Sequence, residues 1–488
     1  MRRHGWLWLL ASLMVCPARA DMPVNPSHAT RDGETARIAL KGDSIDLTLS
    51  DAIYLGLRDN RAIRSAYLDR VAQKFDLRVA EDRFTPKLVL SGNYLSTRNQ
   101  DDRYRQGNMT PTSTLLTPYG TRVSLGWTYQ HTDASVAGLS HNDGANFSVI
   151  QPLLRGAGKD IATAPVRLAQ MTEQINRLNL KSTVSQTITQ IITAYRDLLL
   201  AQEQLKIAQD SLARARQLVD VNQAMISAGR MAEFEIVQTE AEVASQELAH
   251  EEARNRVDMA RLALLQLLAL DLHAPIVATE ALQAKPVEVQ ADRALKQAEA
   301  SQPAYLAQLL VGEQAAINLA VARNDRLWDV SLVGGATQQR NRAARGDGSR
   351  NWDNYVGVQV EIPIGDMTAR QAEVQAQVNV KNQQIQLAEA HQQLDRDVTN
   401  AVRDMGTRWR QFEIAQRARD LSRRKVEIER EKLTAGRSSN FQVLSFENDL
   451  RNAENARLNA LISYLNAQAG LDQTLGTTLQ SWDISLND

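Results

Sequence analysis

The chain has 488 residues, of which 43% are hydrophobic and only 5% aromatic, with 12 prolines and 24 glycines. This composition does not fit a loop-rich enzyme with several compact cores. Basic and acidic residues nearly balance, 56 against 57, and nothing in that balance indicates nucleic-acid binding. Apart from the N-terminus, no run reaches the ~20 apolar residues of a membrane-spanning helix, which excludes a helical inner-membrane transporter.

Residues 1–20 predict an export signal. Two arginines precede an apolar run over residues 6–15, and small residues lead to a cleavage point after Ala20. Lipidation at Cys16 is the alternative. Because Cys16 is the only cysteine, the mature chain then has no disulfide, no cysteine nucleophile and no cysteine metal ligand. Residues 21–45 are interpreted as an N-terminal extension.

An internal repeat is the most informative feature of the sequence. The tripeptide Ala-Gly-Arg at 228–230 returns at 435–437, and both copies continue with a phenylalanine, an aliphatic residue and a glutamate at matching positions. A second correspondence relates Pro152 to Pro363. The matched segments predict two structural repeats, at 46–270 and 291–474, joined by a linker over 271–290 and followed by a tail over 475–488. The first repeat holds about 31 additional residues between its first strand and its long helix.

Both repeats have the same predicted order: a helix, alternating strands, a very long helix, a glycine-containing turn and another helix. In the first repeat we expect a helix over about 51–82, strands over 87–97 and 146–153, a long helix over 164–227, a turn over 228–232 and a helix over 233–270. In the second we expect a helix from 291, strands over 330–338 and 354–364, a long helix over 366–433, a turn over 435–439 and a helix over 440–470.

The long helix of the first repeat carries an apolar stripe with three-and-four spacing, typical of a coiled-coil seam. It includes Val184, Ile188, Ile191, Tyr195 and Leu198. At 1.5 Å per residue the helix is more than ~90 Å long, and the two shorter helices of the repeat sum to nearly the same length. Rods of this length suit a wall better than a compact core.

The strand segments show about ten residues of alternating polarity, which is typical of transmembrane β-strands. An ordinary surface hairpin is the alternative for any one of them. Four such strands per chain cannot close a barrel with a useful bore. If they are membrane strands, several chains must therefore contribute to one barrel.

Residues 121–130 also look like a strand, which makes three candidates in the first repeat. Because helices at both ends must lie on one side of the membrane, the number of crossings has to be even. We assign the crossings to 87–97 and 146–153, and we place 121–130 in an extracellular β-extension formed by the inserted residues. The alternative is that 121–130 and 146–153 form the crossing hairpin.

These features together resemble the TolC-like outer membrane efflux proteins. The resemblance rests on the twofold repeat, the two Ala-Gly-Arg turns, Pro86 before the first strand, the sequence QPLLRG at 151–156 and its counterpart Pro-Ile-Gly at 363–365. It covers nearly all of the mature chain. It implies an α+β membrane protein, in which a homotrimer forms a long antiparallel α-helical barrel and one transmembrane β-barrel, with four strands from each subunit.

The resemblance also implies a function and partners. The chain would be an outer membrane channel-tunnel subunit whose helical part extends into the periplasm. It would export small molecules or polypeptides as the exit duct of a tripartite efflux or type I secretion system. Its partners would be two further copies, outer membrane lipid, a periplasmic adaptor, and an inner-membrane efflux pump or ATP-driven exporter. An exported coiled-coil adhesin or scaffold at the cell surface is the alternative.

The sequence gives no support to an enzyme or to a bound cofactor. The run Gly-Ala-Gly-Lys at 156–159 lacks the spacing of a phosphate loop, and Asp160 replaces the hydroxyl residue that would bind Mg²⁺. None of the seven histidines has the neighbours of a zinc site. We therefore expect no catalytic residues, no cofactor and no resident metal.

The predicted functional residues lie at turns. In relatives, the turns between long and short helices form the periplasmic gate, and the matching residues in this chain are Gly229, Arg230, Glu233, Glu235, Gly436 and Arg437. Relatives carry aspartates at the positions of Gln442 and Ser445, so this constriction would be neutral. Ion pairs between turns would hold the gate closed; solvated caps are the alternative. The strand-to-helix turns are assigned to Pro152, Gly156, Pro363 and Gly365.

Overall fold

A computed structural model describes residues 44–98, 100, 102–136, 138–343, 348–365 and 367–486. The chain divides into two units, residues 1–44 and 45–488, and Ser44 alone is described in the first. The predicted export signal at 1–20, with Cys16, lies outside the described residues, as does almost all of the predicted N-terminal extension. All described helices and strands belong to the second unit.

Numbered in chain order, its helices are α1 (Leu49–Asp59), α2 (Arg61–Glu81), α3 (Lys159–Ala162), α4 (Ala164–Ser227), α5 (Glu235–Leu267), α6 (Ala291–Ser301), α7 (Pro303–Asp325), α8 (Thr368–Thr434), α9 (Asn440–Leu475) and α10 (Thr478–Ser481). Its strands are β1 (Ile45–Leu47), β2 (Lys87–Arg98), β3 (Arg103–Leu116), β4 (Arg122–Ala134), β5 (Gly138–Pro152), β6 (Ile276–Ala278), β7 (Asp329–Ala343) and β8 (Ser349–Glu361).

The helix predicted over 51–82 is two helices, and a single residue explains the break. The backbone of Asn60 leaves the helical region, and its side-chain oxygen accepts hydrogen bonds from the amides of Ala62 and Ile63. Its side-chain nitrogen donates to the carbonyl of Leu267, at the end of α5. Asn60 therefore ends α1, caps α2 and fixes both to a neighbouring helix.

The longest helices, α4 and α8, have 64 and 67 residues. The predicted stripe of α4 is confirmed as a core: Val184, Ile188, Ile191, Tyr195 and Leu198 are fully buried. Against it pack α1, α2, α5, α7 and α9, while α8 packs mainly on α9 and α7. A second core joins α6, α8 and α9 around Tyr464.

Two buried tyrosines tie the connecting segments to the helices. Tyr195 of α4 donates to the carbonyl of Leu47 at 2.8 Å, and Tyr464 of α9 donates to the carbonyl of Lys285 at 2.8 Å. The segment predicted as a linker over 271–290 is ordered, because its strand β6 pairs in parallel with β1. The predicted tail over 475–488 contains α10, and Trp482 and neighbouring apolar residues pack on the core of α4.

One antiparallel sheet holds six strands in the order β2-β3-β4-β5-β7-β8. The prediction of four strands per chain is therefore wrong. Residues 103–116 form a strand that the sequence did not reveal, because its polar residues and Pro111 do not alternate with apolar ones. The pairing of β3 with β4 passes from Met109 opposite Tyr129 to Thr112 opposite Gly126. Proline has no amide to donate, which accounts for the interruption between these pairs.

The turn between β3 and β4 lies at the same end of the sheet as the helices. Gly120, in this turn, adopts a positive φ of 90° and leaves no room for a side chain beside the carbonyl of Gly156. Thr121 contacts Gln151, near the end of β5. The placement of 121–130 in an extension at the opposite end is therefore wrong. β3 and β4 run the full height of the sheet, so the first repeat contributes an even number of strands, four.

The two faces of this sheet differ in polarity. Directly paired residues share a face, so the register can be followed from β2 to β8. One face, called the apolar face, carries Leu88, Leu90, Tyr94, Met109, Leu125, Trp127, Phe147, Val149, Leu332, Val356, Val358 and Val360. The other, the polar face, is mainly serine, threonine, asparagine and glutamine, with apolar exceptions that include Val89, Leu95 and Tyr355. Several residues of the apolar face are highly exposed: Leu88 is 72% and Val356 84% accessible.

Candidate functional site

The turn between α4 and α5 is built by a glycine in the left-handed region. Gly229 has φ 66°, a conformation that only glycine adopts without strain. Its amide donates to the carbonyl of Ile226 at 2.9 Å, and the amide of Arg230 donates to that of Met225 at 2.8 Å. This pair of hydrogen bonds is the Schellman motif, which satisfies the last carbonyls of α4 and reverses the chain.

The turn between α8 and α9 repeats this geometry. Gly436 has φ 71°, and the amides of Gly436 and Arg437 donate to carbonyls near the end of α8 at 2.9 and 2.8 Å. The hydroxyl of Ser439 then caps α9 by accepting from the amide of Gln442 at 3.3 Å. Two Ala-Gly-Arg tripeptides 207 residues apart thus form the same turn because each combines a glycine with the same local hydrogen bonds.

The structure brings the two turns together. Asn440, the first residue of α9, is buried and its side chain donates to the carbonyl of Glu235 at 3.4 Å. Behind this contact lies a small apolar cluster of Leu218, Leu433, Val443 and Leu444, with Met231 against it. The paired turns therefore form one end of the helical part as a single packed structure.

The charged residues predicted at the turns lie on the surface of the packed end that the two turns form. Arg230, Glu233 and Arg437 are exposed, and Glu235 is half-buried. None of the four forms an ion pair with another described residue of the chain. Any ion pair that these four residues form at the gate would therefore involve another copy of the chain. Gln442 and Ser445 lie half-buried on the first turns of α9.

A network of ion pairs just behind the turns was not predicted. Glu447 of α9 receives a hydrogen bond from Arg214 of α4 at 2.9 Å and forms an ion pair with Arg430 of α8. The Glu447 side chain is only 15% exposed and that of Arg214 22%. One carboxylate thus links three helices. The internal repeat gives only a weak signal for this network: it matches Glu447 to Glu240, but the partners of Glu447 come from other helices.

A second cluster stabilises the α8–α9 turn itself. Ser438 donates a hydrogen bond to Glu429 at 2.6 Å, and Lys432 lies 3.1 Å from the other carboxylate oxygen. The hydrogen bond from Ser438, assisted by the charge of Lys432, lowers the pKa of Glu429 below its usual value. Glu429 is therefore ionised at neutral pH and fixes the turn residue Ser438 to the helix before it.

The strand-to-helix turns predicted at Pro152, Gly156, Pro363 and Gly365 lie where the sheet meets α3 and α8. Gly156 has φ 78° and its amide donates to the side chain of Asn324 at 2.7 Å. Arg155 forms an ion pair with Asp329 at 2.7 Å, which joins this turn to the start of β7. Gly365 has φ 81°. Pro152 is the last residue of β5, and Pro363 lies just beyond the end of β8.

Among the described residues, none of the helices combines the length and the apolar content needed to span a bilayer. Long paired helices continue into a single sheet with one exposed apolar face, and a contiguous apolar face of this kind marks a surface that contacts a membrane or another protein. The sequence model of the outer membrane efflux proteins matches residues 121–270 and 289–477, more than half of the chain. The chain belongs to the outer membrane efflux protein family.

Solved structures agree with this assignment at the level of the fold. The Campylobacter jejuni outer membrane channel CmeC is 16% identical, with a TM-score of 0.65 over 88% of this chain and 86% of that one. The Vibrio cholerae outer membrane protein VceC is 14% identical, with a TM-score of 0.66 over 88% and 96%. The open state of the Neisseria gonorrhoeae channel MtrE is 17% identical, with a TM-score of 0.66 over 88% and 89%. No curated protein matches.

Family membership confirms the resemblance inferred from the sequence. The protein is an outer membrane efflux channel, located in the outer membrane with its helical part extending into the periplasm. The family is one of channels and not of enzymes.

Proposed function

We propose that three copies of this chain form the exit duct of a tripartite efflux or type I secretion system. The observation that carries the proposal is the sheet with two open edges. Among the described strands, β2 and β8 each pair on one side only. An unpaired edge is a template for another strand, and a membrane sheet has to close. Edge-to-edge pairing of β8 with β2 of the next copy closes the sheet without any further strand.

Six strands per chain change the size of the proposed barrel. Three copies supply eighteen strands instead of the twelve that four strands per chain would give. Barrels of 16–18 strands enclose an aqueous channel. The apolar face turns toward lipid and the polar face lines the lumen, since lipid-facing and lumen-facing residues alternate along such strands.

Exposed apolar stripes on two helices support the same assembly. On α8, Ile414, Leu421 and Ile428 recur every seven residues and are 65%, 61% and 44% exposed. On α2, Leu68, Val71, Phe75 and Val79 form a similar stripe. Apolar residues that recur every seven residues are typical of one long helix that packs along another. In a trimer the helices of adjacent copies cover these stripes and form the proposed α-helical barrel.

We propose that this duct works with partners that supply energy and cargo. We propose a periplasmic adaptor and an inner-membrane efflux pump or ATP-driven exporter, which engage the end formed by the two turns. The polar face offers mostly neutral hydroxyl and amide groups. Such a wall lets small molecules or polypeptides pass without holding them.

Trimer assembly can be tested with cysteine pairs, because the mature chain predicted from the sequence has no cysteine of its own. Val356 in β8 and Gly92 in β2 lie on the apolar face, each five residues from the helix-side end of its strand. We expect Val356→Cys with Gly92→Cys to give disulfide-linked dimers and trimers in the outer membrane fraction. Val356→Cys with Tyr94→Cys tests the alternative in which the register between β8 and β2 is shifted by two residues.

Asn93→Cys with Val356→Cys is the matched control, because Asn93 lies on the opposite face and its thiol points away. For all three cysteine pairs, non-reducing electrophoresis of fractionated membranes measures the amount of disulfide-linked dimer and trimer. Recovery of a soluble periplasmic monomer would contradict the duct and favour an exported scaffold.

For the gate, we propose that Arg437 of one copy pairs with Glu233 or Glu235 of the next. Arg437→Glu then replaces attraction with repulsion in all three copies. At about 0.5 kcal/mol for each exposed pair, three pairs favour the open state by about tenfold. We expect higher conductance in planar bilayers and entry of large antibiotics into cells. The double change with Glu235→Arg should partly restore closure. Unchanged conductance of Arg437→Glu would identify these charges as solvated caps.

A further inference from the structure

Six arginines lie at the far end of the six-stranded sheet, opposite the end where the helices attach. They are Arg98, Arg103, Arg105, Arg340, Arg342 and Arg350. The register places all six on the apolar face: Arg98 pairs with Arg103, Arg340 pairs with Arg350, and the others follow the same alternation. This set is called the arginine belt.

The polar face at the same level is almost uncharged. It carries Thr97, Tyr104, Gln106, Gln339, Asn341 and Asn351, and Asp353 is its nearest charge. Arginines that merely keep a strand end soluble would be expected on both faces. Their restriction to one face indicates a partner on that side.

The height of the belt matches the thickness of a membrane. Arg98 lies eleven residues beyond Lys87, the helix-side end of β2, and Arg105, Arg340 and Arg350 lie equally far along β3, β7 and β8. Eleven residues span ~36 Å along a strand. A tilt of about 40° reduces this to ~28 Å, just above the ~25 Å apolar band of outer membrane barrels.

The apolar face changes character just below the belt. Residues from the helix end up to this level are mostly aliphatic or aromatic. Tyr94 lies diagonally across from Arg105, and Trp352 lies two residues from Arg350. Aromatic side chains mark the interface between hydrocarbon and headgroups. The belt therefore lies at the level of the outer-leaflet headgroups.

The local charges favour an anionic ligand. Asp133 and Asp143 on the middle strands lie on the same face, directly opposite Arg105 and Arg340, so the arginines outnumber the acids at this level by six to two. None of the six arginines forms an ion pair within the described part of the chain, and Arg350 contacts the neutral side chain of Gln338. Arg98 lies directly opposite Arg103, and like charges in this position destabilise a sheet. A bound anion would remove this repulsion.

We propose that the arginine belt binds the phosphate groups of a phosphorylated glycolipid in the outer leaflet. Guanidinium groups bind phosphate oxygens in bidentate fashion, and the apolar band directly below accepts the acyl chains of the same molecule. The inference rests on the proposed membrane trimer. It adds that the outer rim of each subunit recognises lipid through its phosphates.

Native mass spectrometry of detergent-solubilised protein tests this, because one spectrum reports both the number of copies and the bound lipid. The probes are bisphosphorylated lipid A, the same lipid after enzymatic dephosphorylation, and inorganic phosphate. We expect the bisphosphorylated form to bind and the dephosphorylated form to bind at least tenfold more weakly.

Two triple variants remove half of the belt each: Arg340→Gln with Arg342→Gln and Arg350→Gln, and Arg98→Gln with Arg103→Gln and Arg105→Gln. We expect each to weaken lipid binding by about a hundredfold, at roughly fivefold per arginine near a charged membrane surface. The control is Arg122→Gln with Lys87→Gln, which removes two cations at the helix end of the polar face and should leave binding unchanged. Single changes at Arg98 and Arg340 serve if a triple variant does not assemble.

Each outcome decides the proposal. Equal binding of the two lipid forms, or full binding by variants of the belt, would overturn it. Competition by inorganic phosphate at equal concentration would show a site for the free anion and would also overturn the lipid assignment. A trimer without bound lipid contradicts the belt alone, whereas a monomer in the same spectrum contradicts the proposed assembly.

Discussion

Proline in place of Leu198 should abolish trimer assembly. Leu198 is fully buried near the middle of α4, in the core that joins this helix to α1 and α5. Proline removes a backbone donor and clashes with the carbonyl of the preceding turn, at a cost of ~3 kcal/mol or more. A kink at this position misdirects half of a 64-residue helix, so its packing partners separate along their length. The measurement is the yield of trimer in outer membrane fractions.

Leu198→Met is the matched control, since it keeps the volume and the helix and should cost less than ~1.5 kcal/mol. We expect it to assemble as the parent does. A normal trimer yield from Leu198→Pro would mean that α4 is not continuous through the core, and the rods inferred from sequence would then have to be shorter.

The long helices could be predicted because their signals are local. The bounds of α4 coincide with the predicted 164–227, where an apolar stripe continues over many turns and Gly229 ends it. The start of α9 at Asn440 also agrees, since Ser439 is a good cap. The break at Asn60 went unpredicted, because an asparagine inside an otherwise helical pattern becomes a cap only when a partner such as Leu267 holds it.

The strands were less predictable because their partners lie far away in the chain. β1 and β6 have three residues each and pair across more than two hundred residues. β3 has little alternation of its own and is held by β2 and β4 on either side. The prediction of four strands per chain was wrong because a strand such as β3 is recognised only from its pairing with its neighbours. Once the register is known, the separation of apolar and polar faces follows from the sequence, and the same register shows that the six arginines of the belt are charged residues on the apolar face.

The turns of the candidate site were predictable, and the contacts behind them were not. Each Ala-Gly-Arg turn depends on one glycine and on hydrogen bonds within a few residues. The ion pairs of Glu447 instead join residues from α4, α8 and α9. A repeat relates Glu447 to Glu240, but Glu240 is exposed and forms no ion pair with the rest of the described chain. Sequence equivalence therefore does not imply an equivalent role.

Substitution of these two glutamates should therefore have different effects. Glu447→Ala leaves Arg214 and Arg430 near each other without their shared carboxylate, in a region where Arg214 is only 22% exposed. Loss of a partly buried charged hydrogen bond costs about 1–3 kcal/mol. Because the network holds α4, α8 and α9 together just behind the turns, we expect the closed end to loosen.

Glu447→Ala should therefore increase the conductance of the reconstituted channel and the entry of large antibiotics, with the trimer still formed. Glu447→Gln, which can still accept a hydrogen bond but carries no charge, should lie between the variant and the parent. Glu240→Ala is the matched control, and because its side chain is exposed we expect the parental conductance. Equal conductance of Glu447→Ala and Glu240→Ala would show that the three-helix network does not hold the end closed. The gate would then depend on the turn residues themselves, with Gln442 and Ser445 as the next positions to change.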